Sequence, residues 1–159
     1  MILKCNLKRL VISLLIPLLA GGFSALITGK DMDVYGSIKR PPLSPPGIVF
    51  PIVWTVLYIL MGISLYLIWN NEKTYENKSS AYLFFAISLF LNLIWSPVFF
   101  SARQFLGAIF VLVALLITVI ITVIKYLKIN KTAAYLQIPY IIWLLCALYL
   151  NVGVYVLNR

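Results

Sequence analysis

The 159-residue sequence contains no histidine and only four acidic residues. Without histidine, the chain has neither a histidine-based metal site nor a serine–histidine triad, and we expect no bound metal. The four carboxylates all lie outside the long apolar segments: Asp31, Asp33, Glu72 and Glu76. Because intramembrane carboxylates usually mark ion and proton pathways, this placement argues against an ion-driven pump. The two cysteines, Cys5 and Cys146, are one distant pair and form no disulfide framework.

Charged residues of either sign are scarce, at 11%, whereas 63% of the residues are hydrophobic. A soluble domain is about half apolar and about one quarter charged. Five charge-free segments are each long enough to cross a hydrocarbon core of about 30 Å as a helix. We therefore predict an all-α integral membrane protein, a five-transmembrane-helix bundle formed as a single domain by residues 1–159. The helices are expected at about residues 10–28, 48–69, 81–100, 105–124 and 133–157, with a long loop at residues 29–47.

The first and fourth segments each allow a further prediction. The first could instead be a signal peptide, with Lys4, Lys8 and Arg9 as its basic region. Its apolar run exceeds the roughly 7–15 residues of a signal-peptide core, which favours a membrane-spanning helix. The fourth segment consists almost entirely of Ile, Leu and Val, so we expect a largely lipid-facing helix.

Basic residues predict the orientation of the bundle, because lysine and arginine favour the cytoplasmic ends of membrane spans. Eight lie on the amino-terminal side: Lys4, Lys8, Arg9, Lys73, Lys78, Lys125, Lys128 and Lys131. Five lie on the opposite side: Lys30, Lys39, Arg40, Arg103 and Arg159. We expect the amino terminus in the cytoplasm. Since these residues lie between apolar segments, the net charge of +9 does not indicate nucleic-acid binding.

Aromatic and amide side chains recur at helical spacing within three of the segments. Residues three, four or seven apart share one face of a helix. The three faces are Trp54, Tyr58 and Met61; Ser88, Asn92, Trp95 and Phe99; and Tyr140, Trp143, Ala147 and Asn151. One interpretation is a pocket for an aromatic ligand between these faces. The other is packing, with Asn92 and Asn151 joining helices by hydrogen bonds.

Aromatic residues near the segment ends have a simpler explanation. Tryptophan and tyrosine are enriched where a span meets the lipid headgroups. Five residues are expected in such interfacial belts: Tyr66, Trp69, Tyr82, Tyr126 and Tyr155. Trp54, six residues into its segment, could also belong to a belt.

Three ordered motifs resemble the TspO/MBR family, whose members are called translocator proteins or tryptophan-rich sensory proteins. The first is FPIVWTVLY at residues 50–58, followed by Met61-Gly62. The second is LNLIWSPVFF at residues 91–100, and the third is PYIIW at residues 139–143, followed by Leu150-Asn151. The prolines that match the end of the family's first loop are Pro41, Pro45 and Pro46. The resemblance runs from about residue 35 to 158, and it departs at Val34 and Leu43, where family members often have tryptophan.

The resemblance implies a bacterial-type member in a cell membrane, commonly as a homodimer. Family members bind porphyrins and other hydrophobic ligands beneath the first loop, so loop 29–47 is expected to act as a lid. Carried over by motif, the pocket residues are Trp54, Tyr58, Asn92, Trp95, Phe99, Tyr140, Trp143, Ala147 and Leu150, to which the helical pattern adds Asn151. Some bacterial members promote light-dependent breakdown of protoporphyrin, with a tryptophan pair that matches Trp54 and Trp143.

We therefore expect a membrane receptor or sensor that binds tetrapyrroles, such as protoporphyrin and haem, and requires no cofactor. A flat porphyrin would stack on tryptophan. Lys39 and Arg40 could pair with its carboxylates or could simply be solvated loop charges. One alternative is a light-dependent porphyrin-degrading enzyme, with the chemistry carried by the ligand because the chain lacks a conventional catalytic set. The other is a facilitative carrier of porphyrin or lipid.

Overall fold

The computed structural model describes residues 6–29, 33–71 and 76–159, with only the backbone described for residues 76 and 77. Within these ranges there is no strand, and five helical spans are long and apolar enough to cross a membrane, which confirms the predicted all-α membrane bundle. The long helices are α1 (Leu7–Thr28), α3 (Val49–Trp69), α4 (Glu76–Ser96), α5 (Phe105–Leu127) and α7 (Ile138–Leu157), and the short ones are α2 (Val34–Ser37) and α6 (Lys131–Tyr135). Several residues considered above lie outside the described ranges: Lys4, Cys5, Lys30, Asp31, Glu72 and Lys73.

The helices extend beyond the charge-free segments at several ends. α1 begins at Leu7, where the Asn6 side chain caps the helix by accepting a hydrogen bond from the Arg9 amide at 3.1 Å. α5 continues to Leu127 and carries Lys125 in its last turn, where a cation is favoured by the helix dipole. Since long basic side chains reach from such ends to water, the charge-free stretch marks the apolar core of a span and not its helical limits.

The fifth span is divided into α6 and α7, which differs from the single helix predicted at residues 133–157. Pro139, in the first turn of α7, has no amide hydrogen for the α-helical bond to residue 135. Just before it, the Gln137 amide donates to the Ala134 carbonyl at 3.0 Å. The Ala133 carbonyl instead accepts a hydrogen bond from the Ser64 hydroxyl of α3 at 2.7 Å. The amide side chain of Gln137 donates to the same hydroxyl at 3.2 Å, so α3 holds the break in place.

Helix α1 turns its small residues inward and its large apolar residues outward. Ser13, Pro17, Gly21, Ser24 and Thr28 are buried, at the spacing of one helix face. Small residues allow close approach of helices in a membrane. A Cβ atom at Gly62 of α3 would lie 2.7 Å from the Leu14 Cα of α1, and one at Gly21 would overlap the Tyr58 ring. The two glycines therefore set the separation between α1 and α3.

Helix α5 buries one third of its membrane-spanning window, the same share as the spans that contain α3, α4 and α7. Its buried face includes Ala108, Leu112, Leu115 and Val119, so α5 is no more lipid-facing than those spans. A lipid-facing and a core-facing side chain are both apolar, so an all-apolar helix carries little sequence signal for either face. Two of the predicted belt residues are also buried in the bundle, Tyr66 and Tyr126.

Candidate ligand-binding site

A cavity of about 290 Å³ lies between the ends of α1, α3 and α4 at one end of the bundle. We call this end, where the chain passes from α1 to α3, the loop end. The cavity is lined by Gly21, Ser24, Ala25, Thr28 and Gly29; by Phe50, Pro51, Trp54 and Tyr58; and by Asn92, Trp95, Ser96 and Phe100. Every one of these side chains is uncharged. The cavity therefore suits an apolar, flat part of a ligand and offers no partner for a buried charge.

Aromatic rings form one wall of the cavity. Trp54 and Tyr58, one helical turn apart on α3, stack with their ring centres 5.6 Å apart and their planes 26° apart. Behind Trp54, on α7, Tyr140 lies edge-on at 6.0 Å and Trp143 at 6.5 Å. These separations are typical of favourable aromatic pairs. Trp54 is thus fixed from behind by α7 while it lines the cavity.

A second aromatic group closes the cavity on the α4 side. Trp95 stacks on Phe99 with a centre separation of 5.4 Å and meets Phe100 edge-on at 6.1 Å. Phe99 and Phe100 belong to a π-helical turn, Pro97–Ser101, that follows α4. Pro97 cannot donate the next helical hydrogen bond, and the Ala102 amide closes the turn on the Pro97 carbonyl at 2.9 Å. Both phenylalanines of this wider turn are buried.

Polar groups of the cavity are few and mostly paired. The Asn92 amide donates to the Tyr58 hydroxyl at 3.3 Å, which links α4 to α3. The Ser96 hydroxyl donates to the Thr28 hydroxyl at 3.3 Å, which links α4 to α1. The indole N–H of Trp95 is buried and has no acceptor among the described residues. A donor in this state is costly inside a membrane, and an acceptor atom on a ligand would satisfy it.

The predicted site residues are divided between two cavities. Trp54, Tyr58, Asn92 and Trp95 line the large cavity. A smaller cavity of about 20 Å³ shares Phe50, Trp95 and Phe100 with the large one and is bordered by Tyr35 and Ser44 of the loop. It is lined by others of the predicted set: Phe99, Ala147, Leu150 and Asn151. Tyr140 and Trp143 are not among the residues that line either cavity, and they act as support for Trp54. Asn151 donates to the Phe105 carbonyl at 2.9 Å, so its amide joins α7 to α5.

The loop between α1 and α3 is attached to α7. The side chain of Asn158 accepts from the Lys39 amide at 3.0 Å and donates to the Lys39 carbonyl at 2.8 Å. The Tyr149 hydroxyl donates to the Pro42 carbonyl at 2.8 Å. A Cβ atom at Gly153 would lie 2.5 Å from the Pro41 ring, so the loop also packs closely on α7.

That the loop acts as a lid stays a prediction; its Tyr35 ring meets the ring of Phe50, which lines the cavity, edge-on at 5.1 Å. Of residues 33–47, none is among those that line the 290 Å³ cavity, whereas Gly29 is. The guanidinium of Arg40 lies 4.8 Å from the centre of the Tyr35 ring, in a cation–π contact. Tyr35 in turn donates to the Pro45 carbonyl at 2.9 Å. Arg40, Pro41 and Pro46 border a separate surface hollow of about 710 Å³ on the loop.

The contribution of α1 to the cavity was missing from the sequence prediction. Five residues from Gly21 to Gly29 line it, and four of them are glycine, alanine or serine, with Thr28 as the largest. A signal was present, because Gly21, Ser24, Ala25 and Thr28 fall on one side of a helix. Phe50, Pro51, Ser96 and Phe100 were also missed, although they lie within the family-like motifs. Within the described ranges, no group of three or more His, Cys, Asp or Glu side chains could hold a metal ion.

Fold and cavity together define a five-helix membrane protein with an uncharged aromatic pocket at one end. The sequence profile of the TspO/MBR family matches residues 13–157, and the chain belongs to this family. It is 35% identical to a tryptophan-rich protein TspO of Archaeoglobus fulgidus, over 96% of this chain and 99% of the relative. It is 36% identical to a translocator protein of Ovis aries, over 82% of this chain and 79% of the relative. It is 31% identical to a tryptophan-rich sensory protein of Cereibacter sphaeroides, over 77% and 75%.

Proposed function

We propose that the protein is a membrane receptor or sensor that binds tetrapyrroles and similar flat hydrophobic molecules in the 290 Å³ cavity. The observation that carries the proposal is an uncharged cavity walled by the Trp54–Tyr58 stack on one side and Trp95 on the other. Burial of a flat aromatic ligand against such rings is favourable by area, with stacking worth about 0.5–1.5 kcal/mol per aromatic pair in addition. The name of the Cereibacter relative, a tryptophan-rich sensory protein, supports a sensing role.

The absence of charge in the cavity predicts how a porphyrin is oriented. The macrocycle enters the cavity, and its two carboxylates stay outside in the headgroup region, because burying an unpaired carboxylate is prohibitively unfavourable. The cavity is at the small end of the range of about 300–1,000 Å³ for ligand sites, so part of the ring system remains outside it as well. Lys39 and Arg40 lie on the loop and not in the cavity wall, so any contact with the carboxylates is made outside.

Binding is tested by titrating the purified protein with protoporphyrin IX and with haem, using quenching of tryptophan fluorescence and the porphyrin absorbance band. We expect dissociation constants in the micromolar range or below, about −8 kcal/mol or better. Trp95→Ala removes a cavity wall and should weaken binding strongly. Trp69→Ala is the matched control, because Trp69 lies under Arg9 at 5.8 Å, at the other end of α3. Equal losses in both variants, or no binding by the wild type, would contradict the proposal.

A light-dependent reaction is the second candidate, because Trp54 lines the cavity and Trp143 stands directly behind it. Light absorbed by the porphyrin would supply the chemistry. Trp143→Phe keeps an aromatic ring behind Trp54, so binding should persist while photochemical change of the ligand slows. The measurement is the absorbance of bound protoporphyrin under illumination, compared with darkness and with empty detergent micelles. Identical decay in the variant, the wild type and the micelles would leave a binding protein without this activity.

We further propose that the amino terminus lies in the cytoplasm and that the chain forms a homodimer. The orientation rests on the excess of Lys and Arg on the amino-terminal side. The homodimer rests on the assembly that is common in the family. A reporter protein that folds only in the outer compartment should be active when it is fused after Arg159, and one that folds only in the cytoplasm should be inactive there. Chemical cross-linking in the membrane, read against a monomer standard, tests the dimer.

A further inference from the structure

The cavity is open on one flank of α1. Among its lining residues, Ala25 of α1, Gly29 at the cap of α1 and Pro51 of α3 are exposed, whereas Ser24 and Thr28 of α1 are buried. Ala25 and Gly29 are four residues apart and therefore lie one above the other on the same side of the helix. This exposed group, Ala25, Gly29 and Pro51, forms a mouth of the cavity between the ends of α1 and α3.

The other flank of α1 is closed. The Ser96 hydroxyl of α4 donates to the Thr28 hydroxyl, and Thr28 donates to the Ser24 carbonyl at 2.8 Å. Deeper in the bundle, the approach of Gly21 to the Tyr58 ring closes the space between α1 and α3. The mouth is therefore limited below by Gly21 and on the α4 side by the Thr28–Ser96 contact.

The loop does not supply an alternative entrance in its described part. Its residues 39, 41 and 42 are held on α7 by the contacts of Asn158, Gly153 and Tyr149. These contacts lie on the α7 side of the bundle, whereas the cavity lies between α1, α3 and α4. Opening the loop would require the loss of three hydrogen bonds. It would also require the loss of the edge-on contact, at 5.1 Å between ring centres, by which Tyr35 of the loop covers Phe50 of the cavity wall.

We propose that flat hydrophobic ligands enter and leave the cavity sideways, from the bilayer, through the mouth flanked by Ala25, Gly29 and Pro51. The proposal rests on the proposed binding function. The mouth lies where α1 ends and α3 begins, at a membrane–water boundary. A ligand with an apolar ring and a charged edge can slide its ring into the cavity there while its charges stay hydrated. A wholly buried route would require the charges to be desolvated.

The test measures how fast protoporphyrin IX moves from donor vesicles into the protein in lipid nanodiscs, by stopped-flow fluorescence. Ala25→Phe places a ring in the mouth and should slow both association and dissociation, each by about tenfold, as expected for a gated site. Leu26→Phe is the matched control, since Leu26 is the next residue of α1, is 82% exposed and is not among the cavity-lining residues. It should leave both rates at the wild-type values.

A further variant separates this route from its alternative. Thr28→Val removes the contact with Ser96 but keeps the side-chain shape, so passage between α1 and α4 would become faster in both directions. On the proposed route, the change at this cavity-lining residue would alter the dissociation rate and the affinity but not the association rate. Normal rates in Ala25→Phe, a weaker affinity of Ala25→Phe with an unchanged association rate, or faster association in Thr28→Val would each overturn the route. Absence of binding by the wild type would instead refute the proposed function.

Discussion

The two ends of the bundle are built differently, and the contacts between α1 and α3 show the difference most directly. At the amino-terminal end, Gly62 lets α3 approach the backbone of Leu14. At the loop end, Gly21 approaches only the Tyr58 ring, and a cavity opens beyond it. The amino-terminal end also carries the Ser64–Gln137 hydrogen bonds, which join α3 to the broken fifth span. One end of the bundle is thus specialised for stability, and the other keeps the space that a ligand needs.

The largest effect is expected from Gly62→Ala. Its Cβ would lie 2.7 Å from the Leu14 Cα and 2.9 Å from the Ser13 carbonyl oxygen, and backbone atoms cannot move aside without separating the helices. We expect a loss of about 3 kcal/mol, at the upper end for overpacking, measured as a lower unfolding temperature in detergent. Gly22→Ala is the control, because no atom lies within 4 Å of the position that its new Cβ would take.

Gly21→Ala sharpens the same comparison. The new methyl group meets the Tyr58 ring, which borders the cavity and can turn into it. Stability should therefore fall by less than in Gly62→Ala, while protoporphyrin binding weakens because the ring occupies the space. If the two glycine variants lose equal stability and Gly21→Ala binds normally, the two ends do not differ in the way described.

Ser64→Ala should give the next largest loss of stability. The change leaves the Ala133 carbonyl and the Gln137 amide without their hydroxyl partner in a buried position. An unsatisfied buried polar group costs about 1–3 kcal/mol. The affinity for protoporphyrin should not change, because Ser64 is remote from the residues that line the cavity. Thr55→Val is the control for loss of a hydroxyl on the exposed side of the same helix. Thr55 donates only to the Pro51 carbonyl, so we expect little change in stability.

Tyr58→Phe should affect binding more than stability. The ring stacked on Trp54 remains, but the Asn92 amide loses its acceptor and is no longer oriented. Loss of one such hydrogen bond is worth about 1 kcal/mol, or about fivefold in the dissociation constant for protoporphyrin. Tyr149→Phe removes a tyrosine hydroxyl that bonds the loop at the Pro42 carbonyl, and its equilibrium affinity should match the wild type. A stronger effect on affinity in Tyr149→Phe would place the loop in the site.

The smallest effect is expected at the tip of the loop. Leu43 is 93% exposed and has a φ of 64°, a left-handed conformation that costs a residue with a Cβ about 1–2 kcal/mol. Leu43→Gly should relieve this strain and stabilise the protein by about 0.5 kcal/mol, after glycine's larger unfolded-state entropy is subtracted. Leu43→Ala keeps the Cβ and should show no gain in unfolding temperature. A gain of equal size in both variants would mean that removal of the exposed side chain, and not backbone strain, is responsible.

The sequence allowed the fold and four of the thirteen cavity-lining residues to be predicted. Long charge-free segments determine the number of spans, since only helices satisfy the backbone in lipid. Trp54, Tyr58, Asn92 and Trp95 stood out because aromatic and amide side chains are unusual at helical spacing in an apolar segment. The small residues of α1 are chemically inconspicuous, although they line the cavity just as the aromatic residues do.

Other features could not be predicted because the membrane removes the usual contrast between inside and outside. α5 has apolar residues on all sides, so its buried face is determined only by the neighbouring helices. The attachment of the loop to α7 depends on residues such as Lys39 and Asn158, which are 119 positions apart. No local pattern reports a contact of that separation. The role of Asn151 was open to prediction: an interhelical hydrogen bond was one of the two interpretations, and its amide does join α7 to α5.

The contact between Lys39 and Asn158 also has a consequence for biosynthesis. During translation the loop leaves the ribosome well before Asn158, which holds it and lies 119 residues further along the chain. Membrane helices are inserted as they emerge, so α1 and α3 must wait in the bilayer with the loop unattached until α7 arrives. Until then Trp54 also lacks Tyr140 and Trp143 behind it. A nascent chain stalled before α7 should therefore span the membrane four times and still be unable to hold the aromatic wall in place.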